Sequence, residues 1–249
     1  MFFSHCPLHC VYCQNADLAA GKAGRVIEVG RLADICLDLQ GQGALNINFV
    51  TPTHYSVDIA GAVKMAREQG LTVPVVWNTS GYERADVVRE LVDIVDVWLV
   101  DFKYADSSLA QRYSQAPDYP AVALKAIGAM VEVAGKPTFD EVDGLPRMTR
   151  GVIVRHLALP GSLTQSKQAL ALLWERFGAS VKYSVMNQYT PVMSESTLER
   201  FPELASRVTQ AEYEELLDYA DSLGMEDYFW QEGPAALESF IPAWDCSGV

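Results

Sequence analysis

The sequence is short of basic residues: 19 Lys and Arg stand against 32 Asp and Glu, a formal charge of −13. A protein gripping a phosphate backbone along a broad face needs the opposite balance, so neither nucleic acid nor an anionic bilayer is an expected partner. No apolar run approaches the roughly 20 residues that span a membrane. The basic start and long apolar segment of a secretory signal are also missing, and a cytoplasmic protein is expected. Cysteine is scarce, five in 249 residues, which is no disulfide framework for a chain this long. There is no internal repeat and no low-complexity tract. With 49% hydrophobic and 20% charged residues, the chain is able to bury a substantial core.

What is present is a rhythm of short β-rich runs and longer amphipathic stretches. Strands are predicted at Phe2–His5, Asn46–Val50, Val73–Asn78, Val97–Asp101, Gly151–His156 and Val181–Met186. Between them, stretches such as Val57–Ala66 and Val87–Val92 repeat apolar residues at helical spacing, the first followed by Gly70 as a stop signal. Alternating strands and helices predict an α/β fold with a parallel sheet. About six such units point to a partial (β/α)6 TIM-like barrel. A single domain, monomeric, is expected over 1–249, with the barrel core in 1–190 and a C-terminal helical extension in 191–249. In that extension Thr209–Leu223 reads as a helix with Thr209 as its N-cap. Gly135–Arg150 has no clear period and reads as a loop, a flexible surface segment or a lid.

Barrels of this kind gather their chemistry at the C-terminal strand ends, because the loops there converge on one mouth. That gives the polar residues of this sequence a shared address. The ends read Cys6, then Thr51-Pro52-Thr53-His54, Asn78-Thr79-Ser80-Gly81 and Asp101-Phe102-Lys103; Arg155-His156 lies in the fifth strand and Asn187-Gln188-Tyr189 follows the sixth.

Three of the five cysteines, Cys6, Cys10 and Cys13, are packed into one loop spaced C-x3-C-x2-C. Three thiolates are too few for closed structural zinc unless His5 or His9 adds a fourth ligand. They are the right number for a [4Fe–4S] cluster held at three corners, with one iron open to an outside ligand. Cys36 and Cys246 are isolated and read as structural thiols.

Cys6-Pro7-Leu8-His9-Cys10-Val11-Tyr12-Cys13 resembles the cluster motif of the radical S-adenosylmethionine (SAM) superfamily, and its continuation Cys13-Gln14-Asn15 resembles the branch of pyruvate formate-lyase activating enzymes. The likeness extends through INFVTPTHY, NTSGYE, VDFKY, IVRHLALPG and MNQYTP to FIPAWD. It implies a radical SAM core in which the open iron chelates SAM. An electron from a flavodoxin or ferredoxin would then release a 5′-deoxyadenosyl radical for hydrogen abstraction. The substrate implied is a glycyl-radical enzyme, the alternative being a small molecule or another macromolecule. A non-catalytic metal- or redox-sensing module is a third reading, one that has no use for the polar strand ends.

The same resemblance places individual residues. A Gly-Gly-Glu-like turn meeting the SAM amino group is replaced by Thr51, Pro52 and Thr53, so no carboxylate stands there. Asn78 and Ser80 match the segment contacting the SAM carboxylate region or ribose, and Asn78 stands where formate-lyase activators carry a cation-binding Asp. Asp101 and Lys103 match an Asp-x-Lys pair facing the opposite charges of SAM, an ordinary salt bridge being the other reading. Arg155 is expected at the SAM carboxylate, Gln188 at ribose or adenine, and Tyr12 over the adenine or shielding the cluster.

Overall fold

A computed structural model describes residues 1–231 of the chain. FIPAWD, Cys246 and the end of the expected extension lie outside the described residues. A six-stranded sheet is built from β1 (Ile47–Val50), β2 (Val75–Thr79), β3 (Val97–Asp101), β4 (Thr138–Val142), β5 (Leu145–Leu157) and β6 (Lys182–Met186). β1, β2, β3, β5 and β6 lie side by side, all parallel. The sheet does not close, so the partial TIM-like α/β barrel expected from the sequence is the architecture found. Each open edge is met by a short parallel bridge, Phe2 to Val50 on one side and Phe229 to Ser184 on the other.

Two predicted elements differ. Phe2–His5 is not a full strand: beyond the Phe2 bridge the chain turns at His5, whose φ of 69° ends extended pairing. Gly135–Arg150 is not a loop but contains a β-hairpin, with β4 antiparallel to the first half of β5. Asp143 and Gly144 both take positive φ, 51° and 79°, as a two-residue hairpin turn of the primed kind demands. β5 then leaves the hairpin for the parallel sheet at Gly151, with φ 129°. A Cβ there would stand 2.8 Å from Pro137 Cα, so only glycine makes the bend.

The strands separate two environments by their alternation. Phe49, Trp77, Trp98 and Val152 are register partners on one face and are almost fully buried. Helices cover this face. In Ser56–Glu68 the buried residues are Ile59, Ala62, Val63 and Ala66, a stripe at the i, i+3, i+4, i+7 spacing of a core-facing helix. The opposite, concave face carries Asn48, Asn78, Asp101, Arg155 and Ser184, all only partly buried. The same face also carries Val50, Leu99 and Ile153, in one register row with Asn78, so the open barrel presents an inner wall of mixed polarity whose charged pair, Asp101 and Arg155, stands at the C-terminal strand ends. After β6 come the short helix Glu195–Arg200 and then Gln210–Ser222, which Thr209 and Glu212 start with a reciprocal capping box. Among the described residues no helix is long and apolar enough to cross a membrane.

Candidate active site

The cysteine loop sits at the C-terminal ends of the strands because a helix end holds it there. Val11 N–H donates to Tyr113 O at 2.8 Å and His9 N–H to Ser114 O at 3.4 Å, both carbonyls closing the helix Ser107–Ser114. Unsatisfied carbonyls at a helix C-terminus thus become the loop's anchor. Cys6, Cys10 and Cys13 are all half-buried and unbridged. Burial first, and then the neighbouring thiols, oppose the ionisation of Cys6 and Cys13, raising the Cys6 pKa to about 11 and Cys13 in the same direction. Three half-buried thiols in one loop are the donor set that an iron–sulfur cluster requires. Among the described residues no three His, Cys, Asp or Glu side chains converge on a single ion. His5 lies against His54, ring centroids 6.3 Å apart.

Beside the loop, the concave face ends in a charged row. Asp101 accepts from Lys103 Nζ at 2.7 Å and from Arg155 Nε at 2.9 Å, and Arg155 Nη2 donates to Asn78 Oδ1 at 2.7 Å. The ion-pair reading of Asp101 and Lys103 is therefore present, and Arg155 joins it. The two cations outnumber the carboxylate, so the row carries a net positive charge. Burial opposes the charge on Asp101, but Arg155 and then Lys103 more than offset it and hold its carboxyl below the usual range. Burial likewise opposes the charge on Lys103, yet Asp101 and the Cys10 sulfur raise it to about 12. The ammonium in turn favours ionisation of Cys6 and Cys13.

The β1 and β2 ends are joined by a residue the sequence reading passed over. Glu83 is 5% exposed, and its Oε1 accepts from Thr53 Oγ1 at 2.7 Å, Thr79 Oγ1 at 2.6 Å and Trp77 Nε1 at 3.3 Å. It stands inside NTSGYE, but nothing local marks it: the burial comes from β1 and β2 packing together. Thr51 N–H donates to Asn78 O, and its φ of 58° lies in the left-handed region. A β-branched residue there is strained, of order 1–3 kcal/mol, at the turn where a glycine would be free of strain. Gly81 keeps the β2 end close to β3; a Cβ on it would lie 2.4 Å from Asp101 O. Tyr119 Oη spans the same gap, within 2.8 Å of Ser80 O and 2.9 Å of Asp101 O, and accepts from Lys103 N–H.

Burial raises the Glu83 pKa despite those three donors. A raised folded-state pKa means that stability is lost as pH climbs from the unfolded carboxyl value through the folded one. Glu83→Gln keeps an acceptor and removes the buried charge. Its thermal midpoint is expected to exceed that of the parent at pH 8 and to match it near pH 4. A midpoint at pH 8 several degrees below the parent's would show that the charge itself is needed. Glu83→Ala, which strands the donors, is expected to cost about 1–3 kcal/mol.

The remaining expected residues are placed as follows. Tyr12 is 7% exposed and lies with its ring edge-on to Tyr113 and Tyr189, its hydroxyl 2.6 Å from Tyr104 Oη. Ser80 Oγ accepts from Tyr82 N–H at 3.4 Å. Gln188 is exposed; its carbonyl accepts from Gln14 of the cysteine loop at 3.5 Å and its Oε1 from Gln231 at 3.0 Å. His156 lies on the helix-covered face, its Nδ1 2.7 Å from Phe102 O, and burial lowers its pKa to about 4. Asn78, Asp101, Lys103 and Arg155 are thus brought together beside the thiols, Thr51 and Thr53 border them through Asn78 and Glu83, and Gln188 approaches from the far side of the loop.

Comparison with known proteins gives a consistent picture. A sequence profile described as Radical SAM superfamily matches residues 1–159. An uncharacterized protein of Methanocaldococcus jannaschii is 25% identical over 238 residues, covering 91% of this chain and 62% of the relative. Among solved structures, Streptococcus suis SuiB bound to precursor peptide SuiA superposes with a TM-score of 0.65 at 16% identity, over 93% of this chain and 48% of that one. A radical SAM methyltransferase from Sphaerobacter thermophilus gives a TM-score of 0.62 at 13% identity, over 94% and 67%. The chain therefore spans about half the length of SuiB and less than two thirds of the archaeal relative.

Proposed function

The chain belongs to the Radical SAM superfamily, and from that premise we propose that Cys6, Cys10 and Cys13 hold a [4Fe–4S] cluster at which SAM is reductively cleaved. When bound, the cluster supplies one electron to the SAM sulfonium, splitting its S–C5′ bond into methionine and a 5′-deoxyadenosyl radical that abstracts hydrogen from a substrate. The observation that carries this reading is the Lys103–Asp101–Arg155–Asn78 row beside three half-buried thiols on the concave face.

Each residue of that wall has a task its contacts suit. Lys103 and Arg155 offer the SAM carboxylate two positive donors, while Asp101 fixes both cations and Asn78 aims the guanidinium. Thr53 has committed its proton to Glu83, so its lone pairs are left to accept from the SAM ammonium, alongside the backbone of Thr51. In this way a carboxylate from the segment after β2 supports the turn that lacks one of its own. Ser80 and Gln188 border the ribose and adenine. Tyr12, with its hydroxyl engaged below the loop, serves as a wall that keeps water and stray hydrogen donors from the radical.

The finer reading is an activator of a glycyl-radical enzyme, supported by Cys13-Gln14-Asn15 and the MNQYTP segment, with a flavodoxin or ferredoxin as electron donor and a monomer in the cytoplasm as its setting. A polypeptide substrate of another kind is the second reading, supported by the likeness to SuiB, which was captured with a precursor peptide. Anaerobic reconstitution followed by dithionite and SAM is expected to yield 5′-deoxyadenosine. No product from an intact, reduced cluster would sink the enzyme reading. Product without a glycyl-radical EPR doublet, when candidate glycyl-radical partners are added, would favour the second substrate class.

A further inference from the structure

Beneath the cysteine loop runs a buried line of hydroxyls that ends on one cysteine sulfur. Ser114 Oγ donates to Cys10 Sγ at 3.0 Å, lies 2.7 Å from Tyr104 Oη, and Tyr104 Oη lies 2.6 Å from Tyr12 Oη. Ser114 is 1% exposed and Tyr104 is fully buried. Each hydroxyl has a single proton. With that of Ser114 aimed at sulfur, Tyr104 must donate to Ser114 and Tyr12 to Tyr104. All three protons therefore point the same way, and successive donors polarise one another toward Cys10. Cys6 and Cys13 meet backbone N–H groups instead, of Leu8 and Asn15. The arrangement is asymmetric, and it joins residues 104 positions apart.

We propose that Ser114, backed by Tyr104 and Tyr12, is a positioning residue that sets the reduction potential of the bound cluster through Cys10. A donor on a cysteine sulfur steadies the extra negative charge that a one-electron reductant delivers, and so raises the potential. The inference rests on the proposed function, since it needs the three cysteines to hold a cluster. No bond is broken in the step: one electron passes from an external reductant, dithionite in the test, to the cluster.

The test uses the full chain, anaerobically reconstituted, without SAM, with the midpoint read by EPR-monitored redox titration and iron content measured alongside. Ser114→Ala is expected to reduce the equilibrium constant for reduction about tenfold, a fall of about 59 mV for one electron, with iron content unchanged. Ser114→Thr, which keeps the hydroxyl, is expected to restore the parent midpoint. Tyr104→Phe is expected to give a smaller fall of the same sign. An unmoved midpoint in fully loaded Ser114→Ala overturns the proposal while leaving the proposed function intact. Should Ser114→Ala fail to take up iron, Tyr104→Phe decides, an unmoved midpoint there being equally fatal. A parent protein that takes up no cluster overturns both readings.

Discussion

Cys10→Ala is expected to remove the EPR signal of the reduced cluster and bring 5′-deoxyadenosine formation to background, and Cys6→Ala and Cys13→Ala to do the same. The effect is large because the loop supplies only three thiols, one for each of the three cluster corners assigned to the protein. Cys36 provides the control. It is fully buried in the helix Val29–Gly41 among apolar residues, so Cys36→Ala is expected to retain both signals and to cost only the modest energy of a small core cavity. A variant at any of the three loop positions that retained a full, SAM-cleaving cluster would overturn the ligand assignment.

The second large effect belongs to Asp101. Asp101→Ala leaves Lys103 and Arg155 facing each other without their shared carboxylate, with side chains only 17% and 22% exposed. Breaking a buried pair by removing one partner costs about 3–5 kcal/mol, since the remaining charge is neither solvated nor paired. In a chain this long that corresponds to a fall in thermal midpoint on the order of 10 °C. The pH dependence follows from the depressed pKa of Asp101. A lowered folded-state value contributes stability that is present above the ordinary carboxyl range and lost as pH falls through the folded pKa. The gap between parent and variant is therefore expected to be full at pH 7 and to narrow in strong acid. Equal midpoints at pH 7 would show that the row is solvated and that the two cations do not depend on Asp101. SAM binding by the variant is also expected to weaken, because the cations lose the anion that fixes them.

Much of the fold was legible because it rests on period. The apolar spacing of Ile59, Ala62, Val63 and Ala66 announces a helix packed on a core, and Gly70, with φ 103°, ends it where the sequence says it should. Thr209 and Glu212 announce a cap. The parallel strands were legible too, from Val75–Thr79 to Lys182–Met186, because each is a short run rich in β-branched and aromatic residues between helical stretches. The hairpin was not. Its β4 strand is exposed nearly throughout, so no buried face imposes alternation on the sequence. Asp143-Gly144 was the available signal, and the lack of a clear period around it pointed to a loop.

Legibility of the site divides along the same physical line. C-x3-C-x2-C places its three thiols within eight residues, a spacing readable without the tertiary contacts that hold the loop, and Asp101 and Lys103 meet across two positions. The sequence by itself therefore determined a three-thiol loop, a barrel of parallel strands and the polar character of the strand ends. Only the tertiary structure decided the partners: Arg155 reaching Asn78 across 77 positions, Glu83 accepting a hydrogen bond from Thr53 across 30, and Ser114 meeting Cys10 across 104. Those meetings are set by strand register and by the docking of one helix end under the loop. Both are long-range outcomes of burial, and neither has a period from which a sequence can be read.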